Sequence, residues 1–91
     1  GITNPKLRAC LEKSCEYGTI ECKECWKREY AHNDPIFPGV VNRTSYTCVN
    51  NWDAFFYTYM GEIMIHEWAH GCFWDHGDGE GVPFNNPAPG V

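Results

Sequence analysis

At 91 residues the chain has room for one small domain and none for a second. Apolar residues make up 43% and aromatics 15%, a globular composition that excludes a disordered tail, and no run approaches the roughly 18 apolar residues of a membrane span. Twelve acidic against seven basic residues leave a net charge of −5 without any basic run, so neither nucleic acid nor an anionic membrane surface is expected as a partner.

Gly1-Ile2-Thr3-Asn4-Pro5 has no signal-peptide character, and the expectation is a domain that has lost a targeting segment or belongs to a larger secreted protein. Asn4 can cap a first helix with Pro5 at its first position, running through Leu7, Cys10 and Leu11 and ending near Gly18. A second helix is expected after Thr19, with Cys22, Cys25 and Trp26 on one face, stopping before Asn33-Asp34-Pro35. Joined at Gly18, the two would form a helical hairpin.

Pro35, Pro38 and Gly39 then break regular structure. The β-branched stretch from Val40 to Val49 reads as one strand or a short strand pair. Asn42-Arg43-Thr44 matches a glycosylation sequon, a pattern common by chance. The longest helix is expected from about Asn51 to Gly71, capped by Asn50 or Asn51. Gly61 costs about 1 kcal/mol against alanine, which leaves a start near Thr58 as the alternative. Trp52, Phe55, Phe56, Tyr59, Met60, Ile63, Met64, Ile65 and Trp68 fall on nearly every side of this helix, the pattern of a buried one. Residues 77–90 read as loop.

Six cysteines, Cys10, Cys15, Cys22, Cys25, Cys48 and Cys72, are dense for this length and indicate disulfides and an oxidising, secreted or periplasmic setting. Sequence does not decide connectivity among six cysteines; bonds Cys10–Cys25 and Cys15–Cys22 would staple the helical hairpin, and Cys48–Cys72 would tie the strand region to the end of the long helix. A structural zinc held by Cys10, Cys15, Cys22 and Cys25 competes with this arrangement, because Cys22-Lys-Glu-Cys25 has zinc-ribbon spacing.

The chemistry lies in His66-Glu67-Trp68-Ala69-His70. Residues four apart share a helix face, so both imidazoles can reach one ion, and Glu67, one step round, is left free to take a proton from a water that the ion activates. Two histidines and a glutamate on an apolar helix are costly to bury without such a partner. Zinc in a catalytic site needs a third protein ligand and an open position. His76 leads, with Asp75, Asp78 and Glu80 as alternatives. A continuous helix would carry residue 76 roughly 9 Å beyond His70, so the chain must turn back, and Gly71 can supply the left-handed residue. The remaining acids could hold a ligand imidazole in its required tautomer. Tyr46, Tyr57 and Tyr59 are candidate hydrogen-bond donors to an oxyanion. His32, beside Asn33 and Asp34, reads as a surface-loop histidine.

His66-Glu67-Trp68-Ala69-His70 resembles the signature of the zincin metallopeptidases, and His76 falls where metzincins place their third histidine. The resemblance implies His66, His70 and His76 as zinc ligands and Glu67 as general base and acid. Two departures stand out: metzincins have glycine where this chain has Phe73, and no methionine follows Met64 to form their methionine turn. The cysteine-rich start and the run His66 to Cys72 also look like small metallopeptidase domains of bacterial secreted or toxin proteins.

The expectation is therefore a single domain over residues 1–91 with a helix-dominated, disulfide-stapled α+β fold: a helical hairpin, a short strand pair and a buried zincin-type helix. Its expected function is zinc-dependent hydrolysis of protein or peptide substrates, with an extended substrate paired to a strand edge in 36–49. The alternative is a non-catalytic, zinc-stabilised binding module.

Overall fold

The computed structural model describes residues 1–91 as a small α+β domain of two helices and a three-stranded mixed sheet. Helix α1 spans Pro5–Tyr17, where the Asn4 side chain accepts hydrogen bonds from the backbone N–H groups of Lys6 and Leu7. Leu7, Leu11 and Ser14, spaced one turn apart, form its buried stripe. The helix stops at Gly18. A Cβ there would lie 2.3 Å from the Ser14 carbonyl oxygen and 2.6 Å from that of Arg43, so only glycine lets the chain pass between them.

The expected helical hairpin does not form. Thr19–Lys23 is instead strand β1, followed by an irregular stretch and strand β2, Ala31–His32. Strand β3, Thr44–Cys48, lies between them, parallel to β1 and antiparallel to β2. The residues are locally ambiguous: β-branched Thr19 and Ile20 suit a strand, and pairing with β3 supplies ladder partners that an isolated helix of this length would lack. The strand expected within 40–49 is thus present as the central one. An edge in 36–49 is not free for a substrate, because β3 is paired on both sides.

A short 3₁₀ turn, Val49–Asn51, leads to α2, Ala54–Gly71. Its cap is Asp53, whose carboxylate accepts from the Phe56 N–H at 3.1 Å, rather than Asn50 or Asn51. Those two asparagines tie down the 25–29 segment instead, Asn50 through both backbone groups of Cys25 and Asn51 through the carbonyls of Lys27 and Glu29. The helix keeps going through Gly61 and departs from helical geometry only at Tyr59, one residue after Thr58 bonds back to the Ala54 carbonyl. It is not buried all round: Tyr57, Tyr59, Met60 and Ile65 are exposed. One small sheet and one neighbouring helix cannot enclose a second helix completely.

The covered face of α2 contributes to two apolar clusters. Ala69 packs with Leu7 and Leu11 of α1 and with Trp74 and Val82, while Phe56, Ile63 and Met64 pack with Ala31 of the sheet. The loop after α2 is therefore part of the core, although its sequence reads as turns.

Two disulfides hold these layers, in a pairing different from the expected one. Cys10–Cys72 joins α1 to the end of α2, and Cys25–Cys48 joins the segment after β1 to β3. Cys15 and Cys22 are free and exposed. With Cys10 and Cys25 committed elsewhere, the four-cysteine zinc site is ruled out. The bonds are compatible with an extracytoplasmic setting, and no helix is long and apolar enough to cross a membrane. Asn42 of the sequon is buried, with its side chain bonded to the Asp34 carbonyl and the Thr44 N–H. It is a structural residue rather than a glycosylation acceptor.

Candidate metal centre

His66 and His70 lie one turn apart near the end of α2, and the loop that follows returns His76 to them. The three Nε2 atoms converge, with His66 to His76 at 2.9 Å, His66 to His70 at 3.1 Å and His70 to His76 at 3.2 Å. The turn is made differently from expectation. Gly71 remains helical, and Phe73, at φ 71°, is the left-handed residue. Gly71 serves close approach instead: a Cβ there would fall 2.0 Å from the Asn42 carbonyl oxygen.

The outer ring nitrogens fix the chemistry of the inner ones. His66 Nδ1 lies 2.8 Å from the Pro83 carbonyl oxygen, and His70 Nδ1 lies 3.0 Å from that of Trp74. A carbonyl can only accept, so each Nδ1 carries the proton and donates it, and each Nε2 is left with a lone pair. Burial adds to this by disfavouring charge. It is the main cause that pushes His66 down to about 4, against the opposing Pro83 bond, and it also lowers His70.

The Nε2 lone pairs of His66 and His70 face each other at 3.1 Å and repel unless a positive or hydrogen-bonding group sits between them, and His76 Nε2 closes the third corner. The observed separations are close to the roughly 3.3 Å edge of a tetrahedron whose corners lie about 2 Å from a central ion. The donor set therefore fits a metal ion of the kind that imidazole prefers.

Of the acids considered as third ligand or as tautomer-setting partners, Asp78 and Glu80 are used elsewhere, while Asp75 lines the cleft beside His70 without bonding a ligand imidazole. Asp78 accepts from the Asp75 N–H, and Glu80 accepts from the Asn4 side-chain amide. Backbone carbonyls do the orienting instead. Trp74 was missed by reasoning from sequence and is central: buried, its ring packs against all three imidazoles, while its indole N–H donates to the Gly79 carbonyl. An aromatic between two candidate ligand histidines was the available signal. Pro83 left no comparable trace.

Glu67 and His70, with His76 across the turn, line an open cleft of about 630 Å³ between α2, the β2 segment and the loop of residues 35–40. The Glu67 carboxylate is pushed up to about 8, first by burial and then by the charges of Glu29 and Asp34. His32 also lines this cleft, half-buried rather than loose in a loop, with its ring nitrogens facing Glu29 at 3.0 Å and Asp34 at 3.4 Å. None of Tyr46, Tyr57 and Tyr59 lines it.

A second grouping of ligand-type side chains, Cys25, Glu29, His32 and Cys48, is not a metal site, because its two sulfurs are bonded to each other. No protein-family model, curated protein or solved structure matches the chain.

Proposed function

We propose that this domain is a zinc-dependent peptidase in which His66, His70 and His76 hold the ion and Glu67 is the general base. The observation that carries the reading is the convergence of three Nε2 atoms, those of His66 and His70 left with lone pairs by their backbone-carbonyl partners, at the wall of an open cleft that Glu67 also lines. Bound there, zinc supplies a Lewis acid that acidifies water and polarises a carbonyl.

The protein's own groups supply the rest. Pro83 and Trp74 hold the His66 and His70 rings with their lone pairs inward. Glu67, whose carboxyl burial raises in the metal-free protein and a bound cation would lower again, accepts the proton of the attacking water and returns it to the leaving amine. Strand β2 is an edge of the sheet and Ala31 and His32 line the cleft, so an extended substrate can pair there instead of along 36–49.

The test is Glu67→Gln. Zinc content and fold should persist, while chelator-sensitive cleavage of an unfolded-protein substrate should fall by at least the roughly 10²–10⁴-fold that general acid–base catalysis supplies. Equal activity in both proteins removes Glu67 as the base. No cleavage by either leaves the non-catalytic zinc module as the better reading.

A further inference from the structure

Phe73 is an unusual residue for its position. It takes a left-handed conformation, φ 71°, which is strained for a non-glycine residue, and it is 58% exposed, so its ring gains little from packing in return. The turn itself needs only a backbone, since the Phe73 N–H closes onto the His70 carbonyl at 3.1 Å. Glycine would make that bond without strain. The ring therefore contributes something that the turn does not require.

Its surroundings indicate what. Phe73 lines the same cleft as Glu67, His70 and His76, and so do Phe37, 67% exposed, and Val40, 49% exposed. Large apolar side chains left in water beside a metal-type histidine cluster form an apolar lip. The charged groups of the cleft are one-sided. Glu29 and Asp75 line it, and no lysine or arginine does.

We propose that Phe73, with Phe37 and Val40, forms a subsite that selects a peptide by a large apolar side chain flanked by basic residues. The proposal rests on the peptidase reading for the identity of the cleft, but it is a statement about binding and holds whether or not cleavage follows. The apolar side chain removes the exposed rings from water, and the acidic wall attracts lysine or arginine and repels aspartate or glutamate.

The experiment measures binding, by titration calorimetry, of uncleavable blocked hexapeptides to the zinc-reconstituted Glu67→Gln protein. The peptides carry one central Phe, Ala or Asp between lysines or between glutamates. The expected order is Phe over Ala by roughly tenfold or more, the scale on which apolar pockets discriminate, with lysine flanks over glutamate flanks. Adding Phe73→Gly should reduce the Phe preference toward unity. Circular dichroism and zinc content should be unchanged, because glycine relieves the left-handed strain. Phe37→Ser, on the facing loop, should weaken the same preference independently.

No Phe preference, or one untouched by both substitutions, overturns the subsite. Cleavage assays on the unsubstituted protein report separately on the peptidase reading, so a selective but inactive protein would retain the subsite and lose the reaction.

Discussion

The Pro83 carbonyl oxygen accepts the Nδ1 proton of His66 at 2.8 Å, from a position 17 residues further along the chain. That bond makes a glycine- and proline-rich tail part of the candidate metal centre. It holds the ring in the one tautomer that leaves Nε2 free for an ion, as the Trp74 carbonyl does for His70.

Purified protein should therefore contain about one equivalent of zinc per chain. His66→Ala should lower zinc affinity by more than the roughly 10–100-fold that follows loss of a partner outside the ligand set. Plasma mass spectrometry after dialysis against a weak chelator measures this. Full zinc content in His66→Ala would refute the three-histidine centre.

Acid–base linkage gives a prediction for the zinc-free protein. Glu67 is raised to about 8, so its folded form holds a proton that the unfolded chain releases near 4.5; its contribution to stability is complete below about 4.5 and is lost as pH rises toward 8. His66 is depressed to about 4, so its contribution is complete above about 6.5 and is lost as pH falls toward 4. Between about 4.5 and 6.5 the two slopes oppose, and the lowered His70 tips the balance toward stability rising with pH. Stability should peak near 6.5 and decline above it, by at most roughly 1.4 kcal/mol per pH unit. Thermal melts in chelator should show this decline, and Glu67→Gln should abolish it. A decline that survives the substitution would assign it to another group.

The disulfides should differ in weight. Chain-entropy arguments give about 4 kcal/mol for Cys10–Cys72, which spans 62 residues, and about 3.5 kcal/mol for Cys25–Cys48, which spans 23. Urea unfolding of the paired Cys→Ser proteins tests the order. Loss of Cys10–Cys72 should also weaken zinc binding, because Cys72 follows His70 by two residues and caps α2. In denaturant without reductant, thiol labelling should find two free cysteines, Cys15 and Cys22. A count of zero would mean that this pair is bonded as well.

Gly71→Ala should be among the most damaging single-methyl additions. The new Cβ would meet the Asn42 carbonyl oxygen at 2.0 Å, and the Asn42 N–H donates to the Gly71 carbonyl at 3.1 Å. Helix and chain would have to separate, costing about 3 kcal/mol or more. Gly61→Ala meets nothing within 4 Å and should stabilise α2 by up to about 1 kcal/mol. Denaturation midpoints of the two variants should move in opposite directions.

Much of this protein was determined by its sequence over short distances. Asn4 and Pro5 start α1 because a cap and its first turn are neighbours in the chain. His66 and His70 come together because a helix places positions one turn apart on one face, whatever surrounds it, and Glu67 lies one step round from them. Thr44–Cys48 is a strand on the strength of its own β-branched residues. Tertiary structure decided what depends on distant partners. Residues 19–23 became a strand only because β3, 25 positions on by register from Thr19 to Thr44, lies alongside them. The cysteine pairing followed from which layers meet, since every thiol looks alike in sequence. The groups that orient His66 and His70 are backbone carbonyls, which every residue carries, so residue type gave no sign of them. Phe73 rather than Gly71 took the left-handed turn because packing against Asn42 kept Gly71 in the helix and moved the turn beyond Cys72.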